Sequence, residues 1–128
     1  MPIYNAPVKD MKFVLNDLLG LDKMTNLPGF EDATPDMVDA ILGESAKMMS
    51  DVIQPLNQVG DNEGCTWKDG EVTTPTGFKE AFDTYREAGW MGIDGDPKYG
   101  GQGMPHVIGI ALAEMMSSAN MAFGMYPG

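Results

Sequence analysis

The sequence predicts an all-α fold, a bundle of four to five helices, on three observations. Apolar residues recur at helical spacing in four separate stretches. Prolines and glycines punctuate the starts and stops of those stretches. No segment alternates apolar and polar residues convincingly enough to read as a strand of a sheet.

The first helix is expected over residues 6–19, with Val8, Met11, Leu15 and Leu18 on one face. Lys9, Asp10, Lys12, Asn16 and Asp17 fall mainly on the other face, and Gly20 is a natural stop. A turn-like stretch follows over residues 22–32, punctuated by Pro28-Gly29. Thr34-Pro35-Asp36 then reads as an N-cap, a first-turn proline and an acid that suits the helix dipole. Val38, Ile41, Leu42, Ser45, Met49, Val52 and Leu56 draw one long stripe; Pro55 is expected to kink its end and Gly60 to terminate it. Residues 61–74 are polar and read as a surface loop or a short hairpin.

Thr74-Pro75 repeats the cap-plus-proline signature, and Phe78, Ala81, Phe82, Tyr85 and Ala88 give a third stripe closed by Gly89. The glycine-rich stretch 89–103, GWMGIDGDPKYGGQG, lets the backbone turn where side chains cannot fit. Met104 or Pro105 opens the fourth helix, and a fifth begins near Asn120. The fourth carries Val107, Ile108, Ile110, Ala111, Leu112, Met115 and Met116, so it is expected to be buried on nearly every side.

Composition sets limits on function. A chain of 128 residues is one domain's worth, and 43% hydrophobic residues suffice for a core. Eight basic residues against nineteen acidic ones leave a net charge of -11, which argues against nucleic acid and against an anionic membrane surface. The same acidity suits a solvated surface. The lone Cys65 excludes an internal disulfide and a Cys-rich zinc site. The N-terminus has no basic start followed by an apolar run, and the apolar run 107–113 is too short to span a bilayer. The expected location is the cytoplasm. Among twelve methionines, Met48, Met49, Met115, Met116, Met121 and Met125 fall in apolar helical stretches, where they fill core gaps or form a soft pocket wall.

Most catalytic patterns are missing. The stretch Gly100-Gly101-Gln102-Gly103 fits neither G-x-G-x-x-G nor G-x-x-x-x-G-K-[ST], so a tight structural turn is expected there rather than a phosphate cradle. Asp94-Gly95-Asp96 begins like a calcium loop, but Lys98 stands at the next ligand position and no glutamate closes the loop. His106 is the only histidine, which rules out a His-based metal cluster within one chain; beside Pro105 it reads as a residue near a helix start. Ser45, Ser50, Ser117 and Ser118 lie in helical patterns without an assignable base. Glu114 stands among apolar neighbours: buried, it would be a base of raised pKa, and otherwise it is paired or sits at a helix edge. No catalytic residue and no metal ligand set is assigned.

Several longer pieces carry a family resemblance: MPxYxAPxxDMxFVL at the start, the long helix ending in Pro55-Leu56-Asn57, TPTGFKEAF, GWMGI, DPKYGGQGMP and EMMSSANMAF. Their order resembles the N-terminal region of the acyl-CoA dehydrogenases, in a branch resembling 3-methylmercaptopropionyl-CoA dehydrogenases. The resemblance implies a single N-terminal helical domain over residues 1–128. Within it, residues 1–33 form an extension helix and turn, and residues 34–128 form a bundle that is incomplete at its C-terminus. It further implies an FAD-dependent enzyme in which the flavin is held mainly by a middle β-domain and a C-terminal helical domain, neither of which the 128 residues match.

The base of that reaction, a glutamate of the C-terminal half, is likewise unmatched, so this chain alone is expected to be inactive. Acyl-CoA, an electron-transfer flavoprotein and a homo-oligomer are the implied partners. By the same resemblance residues 121–127 line the far end of the acyl cavity, with Phe123, Gly124 and Pro127 as pocket residues and Tyr99, Gly100, Gly101 and Gly103 as the structural loop. Phe123 with Tyr126 nearby suits a shorter or thicker acyl group, unless the two aromatics only pack against other domains. The competing expectation is a free-standing helical interaction or assembly module without catalysis.

Overall fold

A computed structural model of the chain describes residues 3–127. The first helix, α1 (Val8–Lys12), runs into a wider π-turn, Phe13–Leu18, and then a 3-10 helix, Leu21–Asn26. Next come α2 (Pro35–Met48), a second π-turn at Met49–Ile53, and α3 (Pro55–Glu63). A hairpin of β1 (Thr66–Lys68) and β2 (Glu71–Thr73) leads to α4 (Phe78–Glu87), two short 3-10 turns, and the long α5 (His106–Gly124). The all-α expectation therefore holds, with one small antiparallel hairpin in which Trp67 pairs with Val72.

The element starts show which local signals acted. Thr34 caps α2 as expected, its side chain accepting from Met37 N at 3.3 Å, and Pro35 is the first helical residue. Pro55 has no N–H to continue the α-helical ladder, and the chain widens ahead of it: Gln54 N donates to Met49 O, five residues back, at 2.8 Å. α2, the π-turn and α3 thus form one bent rod.

Several expectations are corrected. Gly60 does not end the rod; α3 continues to Glu63 and stops at Gly64. Gly60 serves instead as the place where the Phe78 ring lies against the helix, since a Cβ there would stand 2.7 Å from Phe78 Cζ. Thr74-Pro75 is not the cap of α4. Gly77, in a left-handed conformation, precedes Phe78, and Glu63 Oε2 accepts from Thr76 N at 2.7 Å, drawing that strand of chain to the end of α3. Leu18 is exposed rather than buried, because the π-turn, with Leu19 N on Val14 O, throws the apolar stripe of the first helix out of phase.

The core lies between the bent rod and α5. Val38, Leu42, Met49 and Ile53 meet Ile108, Leu112, Met115 and Phe123, and Met11, Leu15, Phe78 and Tyr85 close its flanks. Ser45 is fully buried where α2 meets α5; its hydroxyl donates to Leu42 O at 3.1 Å and lies 3.4 Å from Met115 Sδ.

α5 itself is not buried all round. Ile110, Ala113, Glu114, Ser117, Ser118 and Met121 are exposed. By length and composition the 19-residue helix is apolar enough to cross a membrane, a property the shorter run 107–113 did not reveal; its other face is packed into the core.

Candidate functional site

The glycine loop is a closed knot of backbone hydrogen bonds. Gly101 N donates to Asp96 O (3.1 Å), Gln102 N to Gly92 O (2.8 Å), Gly103 N to Gly95 O (2.9 Å) and Met104 N to Ile93 O (2.9 Å). Gln102 Nε2 adds a bond to Gly89 O at 3.2 Å. With these amides engaged internally, the loop does not fit a phosphate cradle.

Gly100 turns at φ +90° in open space. Gly101 has no such angle, but its Cα lies so close to Gly95 that a Cβ would overlap the Gly95 carbonyl. Gly103 turns at φ +68°, and Tyr99 projects into solvent with Lys98 Nζ 5.3 Å from its ring centre. All four loop residues therefore shape the knot or decorate it, and the chain leaves the knot at the start of α5. There His106 Nδ1 meets Asp94 Oδ2 at 2.5 Å, and the Asp94 carboxylate lies over Gly109, where a Cβ would stand 2.6 Å from Oδ2.

At the other end, α5 is interrupted. Asn120 has extended backbone angles (φ -164°, ψ 88°) inside the otherwise helical run. Its side-chain Oδ1 accepts from Phe123 N at 3.0 Å, which makes it the N-cap of one further turn. The fifth helix expected near Asn120 is this turn.

The break decides where the three expected pocket residues face. Phe123 is buried and lines an aromatic groove of about 380 Å³ with Phe78, Phe82, Tyr126, Thr74 and Lys79. Gly124 and Pro127 face away from it, into a second groove of about 340 Å³ along the open side of α5, shared with Trp90, Met91, Met116 and Met121. The structure thus separates Phe123 from Gly124 and Pro127. Gly124 is further explained by packing, since a Cβ there would stand 2.7 Å from Met116 Cγ. Met116 is buried while Met121 and Met125 are exposed on this second groove, so the methionines divide between core and wall.

The aromatic groove is the better-built of the two. Phe78 meets Phe123 edge-on with ring centres 5.5 Å apart, and Tyr126 edge-on at 5.8 Å. Tyr126 Oη lies 3.1 Å from Cys65 Sγ, and that hydrogen bond, with burial and the thiol's charge behind it, raises the Tyr126 pKa. At the rim Lys79 Nζ pairs with Asp83 Oδ2 at 2.6 Å, which raises the lysine's pKa and lowers the carboxylate's. Phe78 and Phe82 belonged to the helical stripe read from sequence, but nothing local marked them as partners of Phe123.

The paired Asp94 and His106 line the second groove with Ser117, but among the described residues no hydrogen bond joins His106 to a serine or to the cysteine. Glu114 is exposed on the open face of α5 but lines neither groove; it lies in a shallow hollow with Asp10, Val14 and Ile110. Among the described residues no group of three metal-ligating side chains converges.

The family model described as acyl-CoA dehydrogenase, N-terminal domain, matches residues 43–128. The chain belongs to the acyl-CoA dehydrogenase family. Three members illustrate its surroundings. It is 34% identical over 97% of its length to a 3-methylmercaptopropionyl-CoA dehydrogenase of Ruegeria pomeroyi. It is 32% identical over 96% of its length to a butyryl-CoA dehydrogenase of Syntrophomonas wolfei. It is 31% identical over 100% of its length to a broad-specificity linear acyl-CoA dehydrogenase, FadE5, of Mycobacterium tuberculosis. The chain spans about a fifth, 21%, of the length of each of these acyl-CoA dehydrogenases.

Proposed function

We propose that this chain is the N-terminal helical region of an FAD-dependent enzyme that introduces an α,β double bond into an acyl-CoA thioester, and that its last turn closes the far end of the acyl cavity. The domain reading goes with it: an extension over residues 1–33 and a bundle over residues 34–128. The observation that carries the proposal is the aromatic groove at Phe123, an apolar recess beside the last turn of α5 in a chain of this family.

The relatives are named for three different acyl groups, so kinship alone does not select the substrate. The groove favours a short one. Phe123, Phe78 and Tyr126 pack against one another and narrow the recess in which a long chain would lie. A thioether suits an aromatic recess, because sulfur packs well against aromatic rings. We therefore take 3-methylmercaptopropionyl-CoA as the first candidate. Gly124 and Pro127 contribute by letting the chain leave the turn close to Met116 rather than by lining the same recess.

FAD, when bound, supplies the acceptor for the hydride; in this reading parts of the enzyme other than these residues hold it and supply the base. This chain alone is then colourless and inactive. The enzyme is placed in the cytoplasm, as a homo-oligomer that passes electrons to an electron-transfer flavoprotein and binds neither nucleic acid nor membrane. A reading frame that stops at Gly128 would overturn the proposal in favour of a helical interaction module.

The kinetic test is a series of acyl-CoA chain lengths on the full-length enzyme and its Phe123→Ala variant. Removing the ring deepens the recess, so kcat/KM for longer chains should rise relative to short ones, by about 10-fold per carbon newly accommodated. Parallel profiles for the two proteins would remove Phe123 from the acyl cavity.

A further inference from the structure

A buried amide in the middle of an apolar helix is costly unless both of its ends are satisfied, and Asn120 is fully buried. One end is the cap already described: only the carbonyl oxygen can accept from Phe123 N, so Oδ1 faces the last turn and the NH2 group points the other way. That NH2 group reaches Ile53 O on the bent rod, at 3.4 Å.

Ile53 O is available for a specific reason. In a regular α-helix it would accept from Asn57 N, but the rod is bent by Pro55 and Asn57 N donates to Gln54 O instead, at 3.1 Å. The carbonyl left over by the bend and the N–H left over by the break in α5 are thus joined through one side chain. Pro55 sets the first irregularity, the second interrupts an apolar helix, and Asn120 answers both.

We propose that Asn120 is a positioning residue that locks the last turn of α5 to the bend before Pro55 and so aims Phe123 into the aromatic groove. Without it Phe123 N loses its acceptor and the last turn loses its tie to the rod. The turn is then free to fray, and the edge-on contact between Phe123 and Phe78 would be lost. The inference rests on the acyl-cavity reading for its functional consequence, but the clamp itself stands on geometry.

The first measurement is amide hydrogen exchange on this 128-residue chain. Asn120→Ala should accelerate exchange at Phe123 about fivefold or more relative to Leu112 and Met115, whereas Asn120→Ser, which keeps a capping oxygen but loses the reach to Ile53 O, should fall between the alanine variant and the parent. Equal exchange at Phe123 in parent and Asn120→Ala overturns the clamp. If the alanine variant does not fold, Asn120→Gly removes the same two contacts, tolerates the extended backbone and carries the same expectation.

The second measurement adds Asn120→Ala and Asn120→Ser to the chain-length series on the full-length enzyme. Asn120→Ala should alter the ratio of kcat/KM for long against short acyl chains by about fivefold or more, with Asn120→Ser restoring it in part, since only the cap is kept. If Phe123→Ala shifts the profile and Asn120→Ala does not, the positioning role is wrong and the cavity reading survives. If Phe123→Ala leaves the profile parallel, the cavity reading fails, and the exchange measurement still decides whether Asn120 clamps the turn.

Discussion

Gly100 and Gly101 are neighbours in sequence, yet a side chain is excluded from them by different physics. At Gly100 the left-handed backbone, φ +90°, is the obstacle, and no atom stands within 4 Å of where a Cβ would lie. Alanine there pays only the local conformational penalty, about 1–2 kcal/mol. At Gly101 the obstacle is the Gly95 backbone, which is itself held in place because Gly95 O accepts from Gly103 N. Two main-chain segments cannot move apart without breaking the knot, so Gly101→Ala should cost clearly more than Gly100→Ala. Urea unfolding midpoints check this; equal midpoints, or a larger loss at Gly100, would mean that the loop relaxes around the new methyl group. From sequence the two glycines looked alike. That the stretch needed glycine was legible, because a turn rich in glycine is a local signal; which constraint each answers depends on Gly95, which the fold alone brings into contact.

Among elements, the pairing of α3 with α4 turns on Gly60. A mid-helix glycine normally lowers stability, and replacing it with alanine gains up to about 1 kcal/mol of helix propensity. Here that gain meets the Phe78 ring, 2.7 Å from the new Cβ, and the ring is held edge-on between Phe123 and Tyr126. Gly60→Ala should therefore destabilise the chain on balance, and its cost should shrink in a Phe78→Leu background, as a double-mutant cycle would show. A stabilised Gly60→Ala variant would mean the ring has room to retreat. Sequence reasoning ended the helix at this glycine for a sound local reason and was wrong for a distant one: Phe78 comes from another element. The same contrast separates Thr34-Pro35, whose cap signal acted unopposed, from Thr74-Pro75, where Glu63 took up Thr76 N first. Asn120 falls between these cases. Its capping chemistry announced a helix start, but the orientation of the turn it caps follows from Ile53, which is why Phe123 and Gly124 could not be assigned to separate grooves from their order alone.

Across the whole molecule, two features oppose each other. The net charge of -11 makes copies of the chain repel. The open side of α5 works the other way: Ile110 is 53% exposed, Met121 62% and Met125 78%, and Phe13, Leu18 and Leu19 on the first helix region are exposed as well. Apolar faces of this kind draw copies together, with a strength that salt affects much less than it affects repulsion between exposed charges. The isolated chain should therefore self-associate, and more so as ionic strength rises and the Debye length shrinks from about 10 Å at 0.1 M to about 3 Å at 1 M. Sedimentation equilibrium at those two salt concentrations reads the effect directly. An association driven by opposite charges would weaken with salt instead, and a strict monomer at both would mean the face is too interrupted by Glu114, Ser117 and Ser118 to bind a second copy. Polar substitution at Ile110 and Met121 together, by glutamine, locates the contact. It should return the chain to a monomer and leave the unfolding midpoint measured at high dilution unchanged, because neither side chain contributes to the core between the rod and α5.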